Sequence, residues 1–244
     1  MRVPRLFIDQ PLQTGEPVAL DRRAHDHAVK VLRLRAGDRL CLFNGRGGEF
    51  AATLEPGPGR TLQALVGEFT PDRTESPLRV RLLQGISRGE RMDYALQKAV
   101  ELGVGEIVPL VTERTVSRLD GERQARRLAH WRGVVLAACQ QSGRTRLPPV
   151  AEPRALATQL AQPLDGAGLL LDPRAARALL QTGPYQGTVN VLIGPEGGLS
   201  ETEQAAARAA GYVGVRIGPR VLRTETAAVV ALALLQALGG DFGS

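Results

Sequence analysis

Val191-Leu192-Ile193-Gly194-Pro195-Glu196-Gly197-Gly198-Leu199-Ser200 reads as a strand that empties into a glycine-rich turn and then a helix. Ser200 and Glu203 have the spacing of a capping box, a structural start for a helix expected to run to about Gly211. The pattern then repeats. Val213 to Ile217 is a second apolar segment, broken by Gly218-Pro219-Arg220. Val221-Leu222-Arg223-Thr224-Glu225-Thr226 leads into a last helix with an unbroken apolar run from Ala227 to Leu235. In a parallel α/β sheet, ligands sit at the carboxyl ends of strands. Glycines there let the backbone turn with positive φ and approach a ligand closely.

The rest of the chain fits that frame. Its 244 residues suffice for one large domain or two unequal ones, and 43% hydrophobic residues can bury a core. No run approaches the roughly 18 apolar residues of a membrane span. The start, Met1-Arg2-Val3-Pro4-Arg5, leads to a short apolar segment stopped by Asp9, which does not read as a signal peptide. Cys41 and Cys139 are expected to be buried thiols in a cytoplasmic protein. With His25, His27 and His130 they make no metal-ligand spacing, so no metal is expected. The net charge of +6 is concentrated in the middle: residues 73–150 carry 14 basic and 8 acidic side chains. One face meeting a polyanion would account for this clustering. Of the 31 basic residues 29 are arginine, which grips phosphate with paired hydrogen bonds; codon bias would explain the preference equally well, but not the clustering.

Along the chain, Asp21 is expected to cap a helix carrying Ala24, Ala28, Val31 and Leu34 on one face. Strands are expected at Arg39 to Phe43, Gly48 to Leu54 and Thr61 to Val66, a small unit that is mostly β. Phe69 to Pro77 has the composition of a linker, which divides the chain into 1–72 and 73–244. Arg79 to Ile86 begins an alternation of strands and helices. It continues with a helix bearing Met92, Ala95, Leu96, Ala99 and Val100, a strand from Val104 to Val111 that Pro109 marks as an edge or a bend, and a long helix from Asp120. That helix should bury Leu128, Trp131, Val134, Val135 and Ala138 and expose Arg123, Arg126, Arg127 and Arg132. A short strand, Gly168 to Leu171, and a helix starting at Asp172-Pro173 follow. Such alternation implies a parallel sheet covered on both faces; pattern alone gives an unknotted, doubly wound one.

Leu192-Ile193-Gly194-Pro195-Glu196-Gly197-Gly198-Leu199-Ser200, taken with Gly218-Pro219-Arg220-Val221-Leu222-Arg223-Thr224-Glu225-Thr226, resembles the signature of the RsmE family. These are bacterial uracil N3-methyltransferases of 16S ribosomal RNA, of the SPOUT class. Ser87-Arg88-Gly89-Glu90, Glu101-Leu102-Gly103-Val104, Thr112-Glu113-Arg114 and Cys139-Gln140-Gln141-Ser142-Gly143-Arg144 extend the resemblance. His27, Val31-Leu32-Arg33, Gly37-Asp38 and Phe43-Asn44-Gly45 are similar to the family's N-terminal PUA-like RNA-binding barrel. The resemblance is weakest between Ala151 and Tyr185. It implies an α/β methyltransferase domain with a parallel sheet and a trefoil knot, its C-terminal segment tucked through an earlier loop, an exception to ordinary connection rules. It also implies S-adenosyl-L-methionine as methyl donor, 16S ribosomal RNA or the 30S subunit as partner, and a homodimer with donor sites near the subunit interface.

On that resemblance, Gly194, Gly197, Gly198 and Gly218 are read as loops wrapping the donor, with Leu171, Ile193, Ile217 and Leu222 as apolar walls. Glu196, Arg223 and Thr224 complete the expected binding set. The turn is not Gly-x-Gly-x-x-Gly, which disfavours a dinucleotide fold. Methylating N3 of uracil requires removal of its proton. Two readings of Arg223 and Glu225 stand side by side: Arg223 stabilises a uracil oxygen while Glu225 orients it or accepts the proton, or Glu225 only complements the positive end of the last helix. Arg2, Arg5, Arg33, Arg35, Arg88, Arg91 and Arg144 are candidates for gripping RNA phosphates. Aromatics make up only 4%, so extended stacking on single-stranded bases is not expected. The alternatives are a SPOUT-class ribose 2′-O-methyltransferase and a non-catalytic RNA-binding protein.

Overall fold

The computed structural model describes residues 3–59, 61–115 and 121–243. The chain forms two compact units. The first comprises residues 1–75 together with 139–147, and the second residues 76–138 with 148–244.

In the first unit, β1 (Arg5–Phe7) and β2 (Pro17–Ala19) precede a short helix α1 (Arg22–Asp26) and the strands β3 (Arg39–Phe43), β4 (Glu49–Pro56) and β5 (Leu62–Thr70). They make a five-stranded sheet in the order β1-β3-β4-β5-β2, antiparallel except for the β1–β3 pair. Asp21 caps α1 as expected, accepting from the Ala24 amide at 2.6 Å. The helix then widens into a π turn, His27–Val31, closed by the Leu32 amide on His27 oxygen. The wider turn shifts the helical phase, so Ala24 and Ala28 are buried while Val31 points outward. Phe69 and Thr70 pair with Phe50 and Glu49, so the first residues of the expected linker belong to the sheet. Leu6, Leu40, Leu42, Leu54 and Val66 form the core beneath it.

The segment 139–147 completes this unit. Thr145 Oγ1 accepts from the Gly48 amide, and Gln140 donates to the Arg5 carbonyl. The Arg144 side chain is 5% exposed and holds Glu75 through two donors, with Nε on Oε1 at 2.9 Å. Arg5 pairs with Glu49, donates to the Arg144 carbonyl and lies over the Phe43 ring. Both cysteines are buried, and burial pushes each thiol up to about 12.

The second unit is built on β6 (Arg79–Gly85), β7 (Val104–Val111), β8 (Arg154–Ala155), β9 (Ala167–Leu171), β10 (Thr188–Ile193) and β11 (Val213–Val215). All pair in parallel, in the order β11-β9-β10-β6-β7-β8. The helices are α2 (Glu90–Glu101), α3 (Gly121–Ser142), α4 (Leu156–Leu160), α5 (Glu201–Ala209) and α6 (Thr224–Gly239). The expected start of α3 at Asp120 lies outside the described residues. Central strands are near-continuous apolar runs because both faces are covered. Leu83, Val108, Leu170 and Leu192 pack with α5 residues on one face; α6 packs on β6, β10 and α2. Pro109 takes no donor from the ladder: Ile107, two residues earlier, faces the sparse side, where it bonds Pro149 and Ala151, and Pro109 faces the same way.

Asp172-Pro173 does not start a helix. The Asp172 carboxylate accepts from the Arg174 amide, and the chain runs beside β11, with Arg216 amide on Arg177 oxygen and Leu179 amide on Arg216 oxygen. Those donors and acceptors are spent on β11, leaving only a 3-10 turn at Leu179–Gln181. Among the described residues no helix is long and apolar enough to cross a membrane.

Removing one partner of a buried ion pair strands the other. Arg144→Ala is therefore expected to cost on the order of 3 kcal/mol in denaturant unfolding. Unchanged stability would mean that the Glu75 pair does not hold the 139–147 segment.

Candidate functional site

A cleft of about 630 Å³ in the second unit opens at the carboxyl ends of β9, β10 and β11. Its walls are Leu170 to Arg174, Ile193 to Leu199, Val215 to Ile217 and Arg220 to Glu225, with Arg91, Arg114, Gln204 and Ala227. Leu171, Ile193, Gly194, Glu196, Gly197, Gly198, Ile217, Leu222, Arg223, Thr224 and Glu225 are thus gathered on one cavity. Gly218 lies next to it in the second bend, with φ +66°.

The first bend is held at successive atoms. Gly198 takes φ +69°, and its amide closes the turn on Pro195 oxygen at 2.8 Å. The Gly194 carbonyl accepts from Thr224 Oγ1 at 2.7 Å, and Thr224 Oγ1 accepts from Gln84 Nε2 at 2.8 Å. Glu196 Oε1 accepts from the Arg88 amide at 2.9 Å and from Arg91 Nη1 at 3.3 Å. Arg114 Nη1 donates to Gly197 oxygen at 2.7 Å. Space is tight behind the bend: a Cβ on Gly85 would lie 2.5 Å from Pro195 nitrogen.

Ser200 and Glu203 form the expected capping box of α5. Glu203 also accepts from the Glu113 amide at 2.8 Å, a tie to the end of β7 that the spacing did not suggest.

Burial raises the affinity of Glu196 for a proton, but the Arg88 amide and the Arg91 charge outweigh it and hold the carboxyl below its ordinary value. That makes Glu196 a turn-forming anion and a poor proton acceptor. Glu225 differs. It stands in the first turn of α6 on the cleft wall, and its Oε2 is buried with no hydrogen-bond partner among the described residues. Such an orphan acceptor in a cleft is open to a donor from a ligand. Arg223, the N-cap residue of α6, is exposed beside it.

The basic candidates divide. Arg88 and Arg91 are exposed in the second unit, Arg91 on the cleft itself. Arg33 and Arg35 are exposed in the first unit, Arg33 with φ 57°. Arg144 is buried and Arg5 largely so, each in an ion pair, so a phosphate grip by either does not fit the structure. Arg2 lies outside the described residues. Sequence reasoning missed Asp172, Arg114, Arg174, Arg216 and Arg220 on the cleft. Asp172 directly follows a strand end, the same signal that marked Gly194. Its own oxygens are taken by the Arg174 amide and Arg208, both at 2.9 Å.

Residues 74–236 match the model of the RNA methyltransferase domain, and residues 21–66 that of the RNA methyltransferase PUA domain. The chain is 30% identical to ribosomal RNA small subunit methyltransferase E of Buchnera aphidicola, covering 98% of both chains. It is 33% identical to the Mycobacterium tuberculosis protein of that name, over 93% of this chain and 88% of the relative. Among solved structures, a putative methyltransferase from Legionella pneumophila in complex with bound SAM superposes with a TM-score of 0.95, at 36% identity over 99% of this chain and 100% of that one. The small subunit methyltransferase E of Neisseria gonorrhoeae bound to S-adenosyl methionine gives 0.91, at 37% identity and the same coverage.

The depressed Glu196 carboxyl has a pH consequence. It binds a proton less readily folded than unfolded, so its stabilisation is complete above the ordinary value of 4.5 and fades as pH falls through the lower folded value. Thermal melts of Glu196→Gln are expected to show a shallower acid limb below that pH than wild type. Parallel acid limbs would contradict the pairing.

Proposed function

The chain belongs to the ribosomal RNA small subunit methyltransferase E family, and from that premise we propose that it methylates N3 of a uracil in 16S ribosomal RNA, with S-adenosyl-L-methionine as donor. The observation that carries the reading is the buried Glu225 Oε2, without a partner among the described residues, on the wall of a cleft at strand ends. The residues present fit the donor. The cleft has the size of a small-molecule site, its walls include Leu171, Ile193, Ile217 and Leu222, and Gly194, Gly197 and Gly198 line it as well.

When bound, the donor supplies a methyl carbon already activated by its sulfonium. The two bends would hold the donor, and Arg223 and Glu225 would hold the uracil against it. Glu225 would take the N3 proton of the uracil. The Arg223 guanidinium offsets the negative charge gained by a uracil oxygen. Arg88 and Arg91 grip phosphates near the cleft, and Arg33 and Arg35 do so from the first unit, so binding weakens steeply with salt.

We further read residues 1–72 as a PUA-like barrel that reads RNA shape, and 73–244 as the methyltransferase domain, with 139–147 bracing the former. In this reading the segment after Gly218 threads a trefoil knot; the bond of Thr224 to Gly194 supports it by tying that segment to an earlier strand end. The protein acts as a cytoplasmic homodimer. Support for the dimer comes from α6, where Val230 and Leu234 remain only partly buried while Ala228, Ala231, Leu232 and Leu235 are closed off.

Ribosomal particles from a strain lacking the gene, incubated with protein and donor, are expected to gain 3-methyluridine on nucleoside analysis. A 2′-O-methyl product, or no transfer despite donor binding, would contradict the reading. Arg223→Ala is expected to keep donor affinity and lose turnover by about 100-fold. Unchanged turnover at saturating RNA would remove Arg223 from the mechanism.

A further inference from the structure

Gln84 lies at the end of β6 with none of its surface exposed, among Leu82, Leu83 and Ile86, which are also buried. A methionine there would pack without desolvating an amide. The glutamine also leaves its Oε1 without a partner among the described residues, a cost that apolar replacement would remove. What it gains in return is one relay. Its Nε2 donates to Gly85 oxygen at 3.1 Å and to Thr224 Oγ1 at 2.8 Å. The amide orientation follows from these partners, since the flipped form would set Oε1 against the Gly85 carbonyl. Thr224 has a single hydroxyl proton, and it goes to Gly194 oxygen at 2.7 Å. Its lone pair therefore has to be met by a donor, which Gln84 supplies.

We infer that Gln84 is a positioning residue for methyl transfer, acting through the Thr224 hydroxyl to fix the start of α6 against the bend that holds the donor. The inference rests on the methyl-transfer reading. Thr224 stands between Arg223 and Glu225, while Gly194 opens the bend. Fixing the hydroxyl between Gln84 and Gly194 sets how far the proton acceptor stands from the reacting carbon. Gln84 is not part of the cleft wall, so its effect belongs to alignment and not to donor contact.

The test is steady-state methylation of ribosomal particles by wild type, Gln84→Met, Thr224→Val and the double variant, with donor affinity measured by calorimetry. Gln84→Met is expected to lower kcat by about 10- to 100-fold, the scale of a small misplacement. Its donor Kd is expected to stay within about threefold of wild type, a split that marks lost alignment. Because the two side chains act as one relay, the double variant is expected to lose no more than the worse single variant. Unchanged kcat in Gln84→Met, a loss wholly accounted for by donor affinity, or additive losses in the double variant would each overturn the inference. If Gln84→Met does not fold, Thr224→Val leaves β6 untouched and is expected to lower kcat likewise, so unchanged kcat there overturns the inference too. Wild-type turnover with an unaffected Gln84→Met defeats this inference alone; a wild type that binds no donor and transfers no methyl group defeats the methyl-transfer reading with it.

Discussion

The hydroxyl of Thr224 and the carbonyl of Gly194 are 30 residues apart in the chain and 2.7 Å apart in space. That bond ties the glycine-bearing bend after β10 to the start of α6. It thereby ties Glu225, the next residue along α6, to the turn after β10. The parallel sheet makes the bond geometrically possible, because β10 lies between β9 and β6 and every strand ends on the same side. Gly85 then lets the end of β6 approach Pro195 more closely than any side chain would allow. The remaining holds on the bend, from Arg88, Arg91 and Arg114, come from the ends of β6 and β7 and the start of α2. The bend is thus kept in shape by one backbone amide and two arginine side chains, from the connections that follow β6 and β7.

Much of this was legible in the sequence because the signals are local. A continuous apolar run followed by Gly-Pro marks a buried strand and its exit, and the Ser200–Glu203 spacing marks a helix start. The stripe from Met92 to Val100 marks a helix face, and all of it is buried. Where the reading failed, long-range bonding outweighed local preference. Arg174 to Leu180 has good helix-forming composition, yet its backbone is committed to Arg216. Val31 was placed inside by counting in α-helical turns, and one π turn sufficed to turn it out. β1, β2 and β8 are two or three residues long, too short to carry a period.

Arginine shows the same limit from another side. Composition alone cannot tell an arginine that meets a phosphate from one that closes a core. Arg144 and Arg5 are bound inside the first unit by Glu75 and Glu49, acids distant in sequence. Arg91 and Arg223 remain exposed at the cleft. The middle of the chain is basic partly because a segment of it, 139–147, belongs to the first unit and brings Arg144 and Arg146 there. Gln84 was hidden for a related reason: one polar residue in an apolar strand has meaning only when its partner, 140 residues away, is known.

The most direct measurement is a crystal structure of the protein soaked with S-adenosyl-L-methionine. The account predicts the donor in the cleft at the ends of β9, β10 and β11, its methyl group turned toward Arg223 and Glu225 and its adenosine against the backbone of Gly194 to Gly198. Donor bound elsewhere, or those bends closed on their own side chains with no donor between them, would contradict it.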